Sequence, residues 1–191
     1  MNVLDAIRTR RSIGKVTDER PTRAQIETIL EAATWAPTHH VTNPWRFTVI
    51  AGDERQRFGE AAAHSKLIRM EREGRSIEGE AEKLIGKAFR APVIIAVGVE
   101  PGEGSRIVEI EEVESGAAAV QNMLLAAHGL GLAAMWRTGD PAYEPNMVRY
   151  LGLSGRGRVI GFVYIGYPAI AKERANHAPF GEMTTWRGWV D

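Results

Sequence analysis

The sequence contains no cysteine, and this absence excludes several kinds of chemistry at once. Without thiols the chain can form no disulfide, thiolate metal site, iron–sulfur cluster or cysteine nucleophile. Any redox chemistry must therefore depend on a bound organic cofactor.

The chain also lacks net charge, since 24 basic residues balance 24 acidic ones. No field of one sign is therefore available to hold nucleic-acid phosphates or an anionic membrane. Long apolar runs are absent too, because the longest, residues 92–99, is far below the ~20 residues that span a bilayer. Residues 1–11 lack the continuous apolar segment of a signal peptide. We expect a soluble cytoplasmic protein that binds neither nucleic acid nor membrane.

What is present fits one domain over residues 1–191, because 44% of the residues are apolar and no repeat or low-complexity linker divides the chain. Helical and strand patterns are mixed, which predicts an α/β or α+β sandwich. Residues 93–99 are apolar at odd and even positions, as expected of a central strand covered on both faces. The polar residues 71–82 predict a surface loop or lid.

Apolar residues recur in steps of three and four along the longest helical pattern, at Ile110, Val113, Ala117, Val120 and Leu124. In its middle lies the small-residue patch, defined as residues 115–119, where a helix of a second subunit could approach closely. The acidic residues between 109 and 114 are interpreted as a solvated face. After Gly166 periodicity is lost, and the tail carries Trp186 and Trp189. These tryptophans need a surface to pack on, either a second subunit or the chain's own core.

The first cluster with binding chemistry is Arg10-Arg11-Ser12, followed by Lys15. Guanidinium groups bind phosphate in a bidentate way, and the serine hydroxyl adds a neutral partner. Basic residues at the end of a helix also stabilise its dipole, so this cluster has a purely structural alternative.

The second cluster follows a helix that ends at Pro37 and contains His39 and His40 before the strand entry at residues 43–47. Such a segment can form a polar mouth that faces a flat ligand. Metal binding is not expected, since adjacent histidines on an extended chain point to opposite sides and the others lack ligand spacing.

The third cluster is the glycine turn, defined as residues 126–131, which precedes Trp136-Arg137-Thr138. A dinucleotide fingerprint needs the order strand, glycines, helix, whereas this chain has helix, glycines, strand. Arg137 is a candidate phosphate ligand or an ordinary exposed arginine. No nucleophile elbow, zinc-protease motif or phosphate-binding P-loop is found.

Taken together, these pieces resemble the FMN-dependent nitroreductase family, and especially its smallest members. The motifs that carry the resemblance follow in order along nearly the whole chain: Arg10-Arg11-Ser12, Ala36-Pro37, Pro44-Trp45-Arg46-Phe47, Gln121-Asn122, Leu125-Ala126-Ala127, Gly129-Leu130-Gly131 and Trp136-Arg137.

The resemblance implies an α+β, nitroreductase-like three-layer sandwich with a central mixed sheet flanked by helices. It further implies a homodimer with a domain-swapped C-terminal tail and two FMN sites, each built from both chains. The implied FMN contacts are Arg10, Arg11, Ser12, Trp136, Arg137 and Thr138 of one subunit with Trp35 and His39 of the other. The implied NAD(P) contacts are Ala126, Ala127, His128, Gly129, Leu130 and Gly131.

The implied reaction is a ping-pong transfer of hydride from NADH or NADPH through FMN to a nitroaromatic, a quinone or a similar small acceptor. No side-chain nucleophile is needed, and no motif distinguishes NADH from NADPH. Two alternatives keep FMN: a dehydrogenase or enone reductase of a biosynthetic pathway, and a non-catalytic FMN-binding protein.

This chain departs from the family pattern at three positions. The basic residue expected two positions after the serine is shifted to Lys15, which leaves its contact with the flavin pyrimidine open. Asn43 replaces the usual glutamine before Pro-Trp and has a shorter reach. Trp35 stands where close relatives have a polar or basic residue, which would make the pocket more apolar.

Overall fold

The computed structural model describes residues 1–171 and 178–189. These residues contain seven α-helices: α1 (Val3–Thr9), α2 (Arg23–Thr34), α3 (Glu54–Arg72), α4 (Glu80–Ile85), α5 (Glu109–Gly129), α6 (Asp140–Tyr143) and α7 (Pro145–Tyr150). The same residues contain four strands: β1 (Trp45–Ala51), β2 (Val93–Val99), β3 (Ala133–Arg137) and β4 (Arg158–Gly166). Short 3-10 helices cover His39–Val41, Gly86–Arg90 and Phe180–Met183.

The start of α2 follows from two side chains. Thr22 Oγ1 accepts a hydrogen bond from the backbone of Gln25, and the Gln25 side chain accepts one from the backbone of Thr22. Two donors of the first helical turn are thereby satisfied, so the helix begins where the capping-box pattern predicts. The apolar face of α2 then buries Ile26, Ile29 and Ala33.

The strands form one sheet in the order β1-β2-β4-β3. Every residue of β2 is buried, which confirms the prediction of a central strand covered on both faces. The expectation of a mixed sheet is wrong, because all three strand pairs of the described chain are antiparallel. The only parallel pairing there is an isolated bridge between Ser12 and Ala134. Long helical connections allow a strand to return in either direction, so the sequence pattern left its direction open.

Helices cover both faces of the sheet, which confirms the three-layer α+β sandwich. Helices α2 and α5 pack on one face around Ile29, Val97 and Met123. Helices α3 and α7 pack on the other face around Phe58, Phe162 and Met147. The predicted surface excursion at 71–82 is shorter than expected, because α3 runs to Arg72 and α4 begins at Glu80.

One expectation for α5 is wrong. Glu112, placed on the solvated face, is 1% exposed, whereas Ile110, placed on the buried face, is 58% exposed. The small-residue patch makes a contact within the chain, since a Cβ on Gly116 would lie 2.7 Å from Ile160 and 2.8 Å from Val99. An approach of a second subunit to this patch stays a prediction. The missing side chain lets α5 lie directly on its own sheet. The reason is that α5 is rotated relative to the apolar pattern so that its small residues face the strands.

All described residues of the tail from 178 to 189 are exposed. The rings of Trp186 and Trp189 lie 5.7 Å apart, with exposed fractions of 63% and 72%. The described tail therefore does not pack into its own core, and packing on a second subunit stays a prediction. Of the helices within 1–171 and 178–189, none has the length and apolar content that a membrane span requires.

Candidate functional site

The first predicted cluster lies at the β3 edge of the sheet. Ser12 bridges to Ala134, and the backbone of Ile13 donates a hydrogen bond to the Ala134 carbonyl at 3.3 Å. Arg10 is the C-cap of α1, and its Nη1 donates to Ser12 Oγ at 3.5 Å. The end of α1 is thereby held beside the strand that leads to Arg137.

Arg11 is bound to its own backbone. Its Nη1 donates to the carbonyls of Arg8 and Arg10 at 2.9 and 2.7 Å. Its Nε is buried and has no hydrogen-bond partner among the described residues. A buried donor without a partner costs free energy, so this Nε is positioned to gain from a bound acceptor.

Arg137 at the end of β3 joins the first cluster. It lines a cleft of about 670 Å³ together with Ser12, Gly14, Lys15 and Arg90. A Cβ on Gly14 would lie 3.0 Å from Nη2 of Arg137, so the guanidinium lies against the backbone at this glycine. The fold thus brings Ser12 and Lys15 to the same cleft as Arg137, from which the sequence separates them by more than a hundred residues.

The cleft is strongly cationic. Burial, and then the nearby charge of Arg90, lower the pKa of Arg137. Within residues 1–171 and 178–189, no ion pair involves Lys15, Arg90 or Arg137. The Nε of Arg137 is also buried with no hydrogen-bond partner in that part of the chain. Such a set of cations favours an anionic ligand, which would supply both the missing charge and the missing acceptor.

A second cavity of about 360 Å³ opens on the α3 side of Arg137. Its walls include the aromatic rings of Phe58, Phe162 and Tyr164, and the guanidinium carbon of Arg137 lies 5.2 Å from the centre of the Tyr164 ring. Burial raises the pKa of the Tyr164 phenol, which keeps it protonated. Lys87 and Arg90 add positive charge to this cavity. Its shape and charge suit a flat ligand that carries negative charge.

The one carboxylate lining this cavity is already neutralised. Asp140 accepts a hydrogen bond from Lys66 and forms an ion pair with Arg69, whose Nη1 lies 2.8 Å from Oδ1 of Asp140. The hydrogen bond from Lys66 is the largest of the influences that lower the pKa of Asp140. The cavity therefore keeps a positive excess from Lys87 and Arg90.

Trp136 points to the opposite side of the sheet from Arg137, because successive strand residues face opposite ways. Its indole Nε1 donates to the Ile160 carbonyl at 3.2 Å. It lines a mainly apolar cavity of about 960 Å³ with Thr138 and Val113. Thr138 also lines the 360 Å³ cavity. The predicted contacts Trp136, Arg137 and Thr138 therefore do not line one cavity together. Only Thr138 lines both the 360 Å³ and the 960 Å³ cavity.

Trp35 and His39 lie apart from the cationic cleft. Trp35 is the C-cap of α2 and is 79% exposed, and His39 Nδ1 lies 3.1 Å from Oε2 of Glu111. Neither residue lines the two cavities that contain Arg137. Within one chain they are not brought to the first cluster, so their predicted contribution from a second subunit stays a prediction.

The glycine turn follows α5 directly. Ala127 is 0% exposed, and its carbonyl accepts from the backbone of Leu132 at 2.8 Å. Gly131 has a φ of +74°, which a side chain would strain. His128 Nε2 lies 2.8 Å from Oγ1 of Thr9, so the turn contacts the end of α1. Ala126, Ala127 and Leu130 pack on the core, which leaves His128 and the glycines as the accessible members of the turn.

The structure shows the surroundings of two residues that depart from the family pattern, Lys15 and Asn43. Lys15 lines the cationic cleft together with Arg137, which places its charge where an anion would bind. Asn43 has a φ of +47°, a left-handed conformation that asparagine adopts more readily than glutamine. Its side chain therefore suits the turn before β1.

Lys87, Arg90 and Tyr164 are the lining residues that sequence reasoning missed. Lys87 and Arg90 belong to a short 3-10 helix before β2, and Tyr164 belongs to a buried strand. None of them stands in a motif. Basic residues that immediately precede a fully apolar strand are the one local signal that could have drawn attention to them.

Comparison with known proteins shows similarity in sequence and in fold. The sequence model of the Nitroreductase family matches residues 7–167. The Escherichia coli (strain K12) protein "Putative NAD(P)H nitroreductase YdjA" is 31% identical over 183 residues, covering 94% of this chain and 95% of that protein.

Two solved structures are similar over nearly their whole length. A nitroreductase-like family protein from Bacillus cereus matches with a TM-score of 0.83 and 26% identity, covering 98% of this chain and 97% of that one. A "putative nitroreductase in complex with fmn" from Desulfovibrio desulfuricans matches with a TM-score of 0.76 and 30% identity, covering 100% and 99%.

Proposed function

Because this chain belongs to the nitroreductase family, we propose that it is an FMN-dependent oxidoreductase. It takes hydride from NADH or NADPH and passes it to a nitroaromatic, a quinone or a related small acceptor. The order is ping-pong, so the nicotinamide nucleotide leaves before the acceptor occupies the same place. The active form is a homodimer.

The observation that carries this proposal is a pair of buried guanidinium nitrogens, Nε of Arg11 and Nε of Arg137, that have no hydrogen-bond partner among the described residues. Arg137 lines a cleft whose lining cations have no ion pair in the described chain, and Arg11 immediately precedes Ser12, which lines the same cleft. FMN fits these residues, because its phosphate supplies acceptor oxygens and its ring system is flat. A similar protein also supports the proposal, since the Desulfovibrio desulfuricans structure at 30% identity is described as a complex with FMN.

In this proposal Arg10, Arg11 and Ser12 hold the phosphate and ribityl side of the cofactor. Arg137 and Lys15 hold negative charge on the pyrimidine side, and Thr138 lies where the two cavities meet. FMN supplies the hydride chemistry when bound, so these side chains need only bind, orient and neutralise charge. A partly enclosed site strengthens each of these electrostatic contacts.

A second subunit completes the site. Trp35 and His39 come from that subunit, and the accessible members of the glycine turn, His128, Gly129 and Gly131, contact NADH or NADPH. Exposed apolar side chains support association, since Val3, Leu4 and Ile7 of α1 are more than half exposed at 66%, 57% and 52%. Exposed apolar side chains grouped on one helix are typical of an interaction surface. The paired tail tryptophans add to it.

The test is anaerobic stopped-flow absorbance on purified, FMN-loaded protein. After mixing with NADH or NADPH, the visible flavin band should bleach rapidly, and it should recover when a nitroaromatic or a quinone is added. Recovery that does not require the nucleotide to remain present supports the ping-pong order.

Other results would redirect the assignment. A protein that retains no FMN contradicts the proposal outright. Retained FMN that NADH and NADPH cannot reduce favours the FMN-binding protein without catalysis. Reduction without transfer to any nitro compound or quinone favours the dehydrogenase or enone reductase.

A further inference from the structure

Glu112 is a buried carboxylate outside the cavities described above. Its side chain is in the first turn of α5 and is 1% exposed. Oε1 accepts a hydrogen bond from Thr42 Oγ1 at 2.7 Å, and Oε2 accepts one from the backbone of Gly102 at 3.2 Å. Burying a carboxylate costs free energy unless hydrogen bonds or ion pairs compensate, so the burial of Glu112 indicates a specific role for it.

The segment that Thr42 belongs to has a strained backbone. His40, Val41 and Asn43 have φ values of +51°, +55° and +47°. A left-handed conformation is a true outlier for a β-branched residue such as Val41. Val41 is 77% exposed, so packing of its own side chain does not hold it there. Backbone of this kind persists only where surrounding contacts impose it, and such sites cluster at ligand contacts.

Helix α5 supplies the contacts that impose this conformation. At the start of the segment, Ser115 Oγ donates to the Pro37 carbonyl at 2.7 Å. At its end, Glu112 accepts from Thr42. Between these two anchors His39 meets Glu111 at 3.1 Å. Glu112 and Ser115 of α5 thus hold the two ends of this segment through their hydrogen bonds.

We infer that Glu112 is a positioning residue for FMN binding, acting through Thr42 on the strained segment and thereby on His39. This inference rests on the proposed function, in which His39 contacts FMN from the second subunit. The carboxylate bridges Thr42 and the Gly102 backbone, so the strained segment is held against two separate parts of the fold. A charged acceptor holds both donors more strongly than a neutral amide does.

The experiment is a titration of the apoprotein with FMN, followed by quenching of flavin fluorescence, with melting temperatures measured in parallel. Glu112→Gln keeps the side-chain volume and loses the charge, and Thr42→Val keeps the shape and loses the hydroxyl. Both should weaken FMN binding about tenfold, the equivalent of one charge-assisted hydrogen bond. Thr42→Ser restores the donor and should return the affinity to within about twofold of wild type.

Ser65→Ala is the matched control. Ser65 is 0% exposed and donates to Ala61 and Asn146 on the other face of the sheet. Its loss should lower the melting temperature while leaving FMN affinity unchanged. This separates a general loss of stability from a loss of positioning.

The outcomes distinguish the inference from the proposed function. If wild type binds no FMN, the proposed function fails and the inference fails with it. If wild type binds FMN, and if the variants Glu112→Gln and Thr42→Val bind it with the affinity of wild type, only the positioning role is overturned. This holds even if the melting temperatures of the variants fall. If Glu112→Gln does not fold, the comparison of Thr42→Val with Thr42→Ser decides.

Discussion

Gly161 and Trp136 lie so close together that a Cβ on Gly161 would come within 2.3 Å of the indole Nε1. Gly161 also has a φ of +148°, next to an irregularity in the pairing of β2 with β4. The indole takes the space that any other residue would fill and donates its hydrogen bond to Ile160. The space left by the missing side chain on the neighbouring strand therefore allows Trp136 to occupy this position.

Gly161→Ala should lower the free energy of unfolding by about 3 kcal/mol, because the new methyl group clashes with the indole and strains the backbone. Urea unfolding followed by circular dichroism measures this loss. Gly155→Ala is the control, since a Cβ there meets nothing within 4 Å. Equal stability of the two variants would contradict the described contact.

Arg137→Met should weaken FMN binding about tenfold or more, because it removes a half-buried cation from the proposed pyrimidine side of the site. Burial and Arg90 lower the pKa of Arg137, so its charge is disfavoured in the folded protein without an anion. The melting temperature of the FMN-free variant should therefore not fall. Fluorescence titration and thermal unfolding together check both statements.

The control for this variant is Arg23→Met, which removes a cation from an exposed helical pair with Glu27. It should leave FMN affinity unchanged. A loss of affinity shared by both variants would point to a general effect of charge and would count against a specific role of Arg137.

Asp140→Asn should reduce stability near neutral pH and matter less in acid. The hydrogen bond from Lys66 lowers the folded-state pKa of Asp140 below its unfolded value of about 3.9. The stability that it contributes is therefore complete above that value and is lost as the pH falls through the folded pKa. Urea unfolding of wild type and variant at about pH 7 and about pH 3 measures the two differences.

Asp53→Asn provides the comparison, since Asp53 makes no side-chain capping hydrogen bond. Its difference from wild type should be small at both pH values. A difference for Asp140→Asn that grows as the pH falls would have the wrong sign for the described ion pair.

Trp186→Ala and Trp189→Ala should each weaken dimerisation at least about tenfold, because a tryptophan that becomes buried at an interface contributes a large apolar area. Analytical ultracentrifugation over a dilution series measures the dissociation constant. Val49→Ala is the control, since Val49 is an exposed apolar residue at 45% on β1. Unchanged dimerisation in both tryptophan variants would remove the tail from the interface.

Local signals in the sequence were reliable guides to the elements. The capping pair Thr22 and Gln25 predicted the start of α2, and the unbroken apolar residues 93–99 predicted a strand buried on both faces. These signals work because a cap and a strand face depend on residues that are neighbours in the chain. Helix rotation was less reliable, as Glu112 and Ile110 show, since it depends on which surface the helix packs against.

The candidate site was predictable only in part. The order of motifs pointed to Arg10, Ser12 and Arg137, and the fold places these residues at one edge of the sheet. Lys87 and Tyr164 were not predictable, because they enter the cavity from a short helix and a distant strand with no motif of their own. Nothing local marks a residue whose role depends on distant parts of the chain.

The sequence by itself determined the absence of thiol chemistry, the helix starts, the central strand and the family motifs. Each of these depends on residue type or on short-range spacing, which the chain carries whatever its fold. The tertiary structure alone decided that Glu112 is buried and that Gly116 and Gly161 make room for their neighbours. It also decided that Lys15 and Arg90, which have no ion pair among the described residues, line one cleft with Arg137. Burial, close approach and charge excess are properties of elements packed together, so they exist only once the long-range contacts of the fold have formed.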